Sequence, residues 1–217
     1  QKEIRTELRQ KSAINGIFLY VISTVFIAFL VFNQLEDLTT WIALFWIILL
    51  FASTNASINS FRAESGSQFF YYYQLCSPQS IILSKLLFNG LLLVLIGLIN
   101  WLFFSLLLGN PLENNLPFLA VLVLASLGFS GVLTLVSGIA AKTNNNSTLT
   151  AILAFPILLP MLLTAIKASV LIGLGFGSDE WQLYLGMMGL INLVIIALAY
   201  VLFPTFGEAK IGAVFMF

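Results

Sequence analysis

The chain has 217 residues, a formal net charge of zero, 60% apolar residues and only 8% charged ones, against the roughly 25% charged residues of soluble domains. That composition excludes a soluble domain and reads as an integral membrane protein, all-α, a single transmembrane domain over 1–217 in which runs of about 20 apolar residues can be placed about six times. With one cysteine, Cys76, no internal disulfide is possible, and the lack of histidine removes the commonest general base and metal ligand.

Taken in order, residues 1–13 hold Lys2, Arg5, Arg9 and Lys11 against Glu3 and Glu7, with Ile4 and Leu8 one turn apart. This pattern predicts an amphipathic helix lying on the membrane surface. No cleavable signal is visible, because the apolar run that follows is long enough to span. Span 1 covers 14–32 and ends in a segment with Glu36 and Asp37 but no Lys or Arg. Span 2 begins near Trp41, yet its purely apolar part stops at Ala52 after about 12 residues, too few to cross. The helix must therefore continue through Ser53–Ser60. There Asn55 and Asn59 share a face, and Ala52, Ala56 and Ser60 form a ridge that admits a close neighbour. The two asparagines are either polar contacts between helices or contacts to a substrate.

Residues 61–85, FRAESGSQFFYYYQLCSPQSIILSK, are the largest polar island between apolar runs. Over 61–80 we read a cytoplasmic coupling segment through which a separate ATPase moves the helices. Ser77-Pro78 has the form of an N-cap with proline at the first helical position, so a new helix starts there and runs into span 3, 86–108. Asn100 is the strongly polar residue expected deep in that span. A turn at Gly109–Pro117 leads to span 4, 118–141, whose small residues Ser126, Ser130, Thr134, Ser137 and Ala141 recur at helical spacing and predict a tightly packed helix. In span 5, 148–172, Pro156 and Pro160 deprive the carbonyls of Ile152 and Pro156 of their helical partners, which predicts a kink or a partly unwound turn near mid-span. Residues 173–181 are expected to form an outer loop, and span 6 runs from 182 to 203, where Pro204 should end it.

Alternating the loops between the two sides gathers Lys2, Arg5, Arg9, Lys11, Arg62, Lys85, Lys142 and Lys210 on one side. Glu36, Asp37, Glu113, Asp179 and Glu180 fall on the other. The positive-inside rule then places both termini in the cytoplasm. Lys167 is the exception, either snorkelling from span 5 to the outer headgroups or serving as a functional cation.

No G-x-x-x-x-G-K-[ST] occurs, so nucleotide phosphates cannot be cradled by that route, and without histidine or a clustered acid pair no usual proton relay can be built. An enzyme is not expected, and neither a metal nor a nucleic-acid partner. Against this background Phe61-Arg-Ala-Glu64-Ser-Gly66-Ser67, then Leu75-Cys-Ser77-Pro78 and Leu83-Ser-Lys85-Leu-Leu, resemble the cytoplasmic segment of ABC-2-type permeases. Glu7-Leu-Arg9-Gln-Lys11 and the L-x-x-P-x-x-x-P stretch around Pro156 and Pro160 resemble the haem exporter protein B family, CcmB, the permease of the cytochrome c maturation system in the bacterial inner membrane. The resemblance covers nearly the whole chain. It implies an ABC-2-type (type V exporter-like) six-helix fold. It also implies a pair of permease copies, two copies of the ATPase CcmA, and the neighbours CcmC, CcmD and the haem chaperone CcmE. By the same resemblance Glu64, Gly66, Ser77 and Pro78, with Arg62 beside them, form the ATPase-coupling segment. ATP would be bound by the partner and would drive release of haem-loaded CcmE from CcmC, or haem export. The aromatic run Gln68–Gln74 departs from the family pattern and reads equally as an interfacial belt or as part of the docking surface. Haem ligation by this chain could come only from Met161, Met187, Met188, Cys76 or a tyrosine, so no cofactor is expected to be held directly. Two rival functions are an ABC-2 exporter of another small molecule or glycan, with Asn55, Asn59 and Asn100 lining a cavity, and a non-transporting assembly scaffold.

Overall fold

The computed structural model describes residues 11–32, 37–62, 78–112, 114–140 and 147–214. Among them every regular element is an α-helix: α1 Lys11–Phe32, α2 Leu38–Arg62, α3 Pro78–Leu108, α4 Asn115–Ala140, α5 Ser147–Gly173 and α6 Ser178–Val214. Each contains an apolar stretch of 18 to 26 residues, enough to cross a bilayer, so the chain has six candidate spans. Alternation of these helices puts Asp37, Gly109–Leu112 and Leu174–Gly177 at one end of the bundle, the acidic end, and the Arg62 and Pro78 ends of α2 and α3 at the other, the basic end.

The caps at the acidic end follow from local chemistry. Asp37 stands at the N-cap of α2, where its carboxylate accepts from the Thr40 amide at 2.8 Å and from the Thr40 hydroxyl. These bonds hold its carboxyl below the usual aspartate range. At the far end of α5 the Phe176 amide donates to the Leu171 carbonyl and the Gly175 amide to the Ile172 carbonyl. Gly175 has φ 72°, the left-handed residue such a helix stop requires. Gly109, at φ 83°, turns the chain out of α3 in the same way.

α4 is the central helix. It touches α2, α3, α5 and α6, and 67% of its span is buried, against 17% for α1 and α6. Helices in lipid gain no hydrophobic free energy from pairing, so close contact and dispersion hold them together. The small side chains expected along this helix do that: Ser126, Ser130, Thr134 and Ser137 are all buried. At the acidic end an aromatic cluster joins three helices. Trp41 stacks on Phe45 with ring centroids 5.6 Å apart and meets Phe104 and Phe118 edge-on at 5.0 and 5.8 Å.

Several expected boundaries move. α1 takes in Lys11–Ala13, and residues 1–10 of the expected surface helix lie outside the described residues. α6 begins at Ser178 rather than near 182, with Asp179 and Glu180 in its first turn, where the helix dipole favours acids. Nor does Pro204 end α6, which continues to Val214. The proline removes one bond, to the Tyr200 carbonyl, and the helix carries on past it. α5 likewise remains helical through Pro156 and Pro160, with no unwound turn.

Candidate functional site

The segment expected to couple the protein to an ATPase joins α2 to α3 at the basic end. Its residues Glu64, Gly66 and Ser77 lie outside the described residues. What is described is how its two ends enter the bundle. Arg62 is the last residue of α2, and Pro78 the first of α3, the position where a missing N–H costs nothing.

From Pro78, α3 runs along α4 in a fixed antiparallel register. Asn89 Nδ2 donates to Thr134 Oγ1 at 3.0 Å in a buried site. Farther along, a Cβ placed on Gly90 would come within 2.9 Å of Leu127 Cδ2, and one on Gly97 within 3.0 Å of Leu122 Cδ2. The leucines thus fill notches that only glycine leaves open. Lys85, one turn before Asn89 on the same face, is 8% exposed. It is engaged with a partner rather than free. Sequence reasoning counted Lys85 only as a charge ahead of span 3 and passed over Asn89. Their spacing with Leu92, Ile96 and Asn100 along one helical face was the available signal. Facing this seam, the hydroxyls of Ser126, Ser130 and Ser137 have no hydrogen-bond partner among the described residues.

The intramembrane polar residues do not converge. Asn100 is fully buried against the aromatic cluster, its Nδ2 3.4 Å from the Phe45 carbonyl, and its Oδ1 is unpartnered. Asn55 is exposed on the outer surface of α2, about 15 Å farther along the helix than Phe45 at the usual rise per residue. The side chain of Asn59 lies outside the described residues. Ala52 and Ala56, by contrast, are buried as the close-approach ridge requires. Lys167 is exposed on α5, about a turn and a half from the Gly173 end. That position allows its stem to reach the headgroup region.

Pro156 and Pro160 are also exposed, on the outward side of α5 with Ile152, Phe155, Ile157 and Leu163. The nearby Thr164 hydroxyl donates to the Pro160 and Met161 carbonyls at 2.9 and 2.8 Å, not to the Ile152 and Pro156 carbonyls that lose their usual helical partners. α5 is anchored nearer its acidic end instead. There the Trp46 indole donates to Ser169 Oγ at 3.0 Å, and Ser169 in turn donates to the Ala165 carbonyl at 2.7 Å.

Six spanning helices, a polar insertion between α2 and α3 and a proline pair in α5 match a family pattern over almost the full length. The family model described as CcmB protein covers residues 1–205. The chain belongs to the CcmB family. Neither a curated protein nor a solved structure matches it. As a member of the CcmB family it is a multi-pass membrane protein and a permease component of the haem export and cytochrome c maturation ABC system. In that system a partner subunit is the ATPase.

Proposed function

We propose that this CcmB-family permease converts ATP hydrolysis by CcmA, docked on residues 61–80, into release of haem-loaded CcmE from CcmC. In this reading Arg62, Glu64, Gly66, Ser77 and Pro78 form the contact, and two permease copies serve two ATPase copies, with CcmC and CcmD alongside in the bacterial inner membrane. Both termini and the docking segment face the cytoplasm. The orientation draws on charge: Arg62 and Lys85 stand at one end of the described bundle, Asp37, Asp179 and Glu180 at the other.

The observation that carries the reading is the way α2 and α3 leave the bundle. Both run unbroken as helices up to the connecting segment at the basic end, α2 to Arg62 and α3 from Pro78. A push on the connecting segment therefore acts on two long helices at once, and the exposed prolines of α5 supply a helix with fewer internal bonds to yield against it. Such a push shifts the permease only if the ATPase contacts its two states differently.

Haem is cargo handled by the neighbours. Met161 and Met188 are fully buried, and Met161 lies against Gly128, which supports packing roles for both. The separation of Asn55 from Asn100 gives a polar substrate cavity no support. The test is reconstitution of the permease with CcmA, CcmC, CcmD and haem-loaded CcmE in nanodiscs. ATP should release the carrier, Glu64→Ala should weaken CcmA association, and the permease alone should show no stoichiometric Soret band. Carrier release that is independent of ATP would overturn the proposal.

A further inference from the structure

A docking segment at the basic end can hand its motion to the bundle through α2, through α3, or through whatever α3 is fastened to. The fastening is specific. Near the basic end of α3, Lys85 is buried within the bundle, 8% exposed, and engaged with a partner, as a charge inside a helix bundle must be. One turn on, Asn89 donates to Thr134. Beyond that pair come the two glycine notches holding Leu127 and Leu122.

These contacts define one antiparallel register, in which residue numbers on α3 and α4 sum to nearly the same value: Asn89 with Thr134, Gly90 with Ser130, Gly97 with Ser126. Continued toward the basic end, it sets Lys85 level with Ser137, close to the Ala140 end of α4. Sliding α3 along α4 would break a buried polar bond and drive the leucines against side chains where the notches now are. The contact of α4 with α5 is of another kind. There the glycine is on α4, Gly128, and it faces the end of Met161, an unbranched and adaptable side chain. The nearby α5 prolines leave that helix short of internal bonds.

We infer that α3 and α4 move as one body, and that Lys85 with the Asn89–Thr134 pair is the positioning latch that passes displacement of the docking segment into the central helix. α5 then shifts against this body. The inference rests on the proposal that the ATPase docks between α2 and α3, and it adds the path taken inside the permease.

The experiment uses the full complex in nanodiscs with Cys76→Ser, leaving no native thiol in the permease. With spin labels on exposed Leu91 of α3 and Val123 of α4, the distance should be the same without nucleotide and with trapped ATP, while the distance from Leu91 to Leu159 of α5 should change. A nucleotide-dependent change between α3 and α4 overturns the inference. Carrier released per ATP hydrolysed is the second readout. Lys85→Met should lower it about tenfold, within the usual range of coupling free energies, with CcmA still associated and hydrolysing ATP, and Lys85→Arg should restore most of it. Asn89→Cys with Thr134→Cys should be uncoupled when reduced and recover when the thiols are joined by a short bis-methanethiosulfonate. No loss in either variant, or no recovery on bridging, defeats the latch. Loss of CcmA association in Lys85→Met would make Lys85 part of the docking surface, which also defeats it. Failure of the docking reading is seen separately, as CcmA association that is indifferent to Glu64→Ala.

Discussion

The two ends of this bundle are built on different principles. At the acidic end, large rings from α2, α3 and α4 interlock, and two indoles reach across to other elements, Trp41 to the Gly109 carbonyl at 2.8 Å and Trp46 to Ser169. Every helix of that cluster is tied to more than one neighbour. Toward the basic end the close contacts are made at glycines, Gly90 of α3 against Leu127 and Gly131 of α4 against Ile195 of α6, while Asn55 on α2 and the Ile152–Pro160 stretch of α5 show mostly exposed side chains. The difference suits a set of levers: rings that resist shear hold one end, and helices fastened there can splay at the other, where an ATPase would push.

The largest test of that contrast is Trp46→Ala. It removes one of the biggest fully buried side chains and should cost about 3–5 kcal/mol, seen as a large drop in the thermal unfolding midpoint of the purified subunit. Trp46→Phe, which keeps a ring but loses the bond to Ser169 and part of the indole volume, should cost less, about 1–2 kcal/mol. Equal losses from the two would mean that the hydrogen bond, not the packing, fixes the acidic end.

Gly97→Val comes next, because the new side chain meets Leu122 and Ser126 and overpacking costs about 1–3 kcal/mol. Gly186→Ala on α6 meets nothing within 4 Å and should leave the midpoint unchanged or raise it, which sets the α3–α4 seam apart from the outer surface. Pro156→Ala restores an N–H for the Ile152 carbonyl and should stabilise α5 by about 1 kcal/mol. If α5 must yield during the cycle, carrier release per ATP falls in this variant although its unfolding midpoint rises.

The smallest effect belongs to Asp37. Its folded-state carboxyl titrates below the unfolded value because Thr40 bonds to it. The cap's contribution is therefore present above the unfolded aspartate pKa of about 3.9 and disappears as the pH falls through the lowered folded value. Protection of the first-turn amides of α2, taken relative to their intrinsic exchange rates, should fall with acid over that window, and that loss should vanish in Asp37→Asn.

Much of this was legible along the chain. Lengths of apolar runs gave six spans, Ser53 to Ser60 had to be helical because the apolar part of α2 was too short, Ser77-Pro78 marked the start of α3, and the small residues of α4 foretold its burial. The proline pair and the polar island pointed to the family. The faces were not legible. Asn55 was expected to meet protein or a polar cavity and is exposed on the surface of α2, Lys85 was counted only as a charge ahead of span 3 and is buried, and Pro204 was taken for a helix end although α6 passes through it.

The reason lies in the solvent. Span length and charge placement are set by the thickness and polarity of the bilayer, which act on each segment separately, so the sequence by itself determined how many spans there are and, within a turn or so, where they lie. Which side of a helix is buried depends on its neighbours. α3 carries leucines on every side, both exposed and buried, and lipid rewards neither face of them over the other. Only the tertiary structure, by placing Leu122 and Leu127 into the notches at Gly97 and Gly90 and Thr134 beside Asn89, decided that this side of α3 faces the centre.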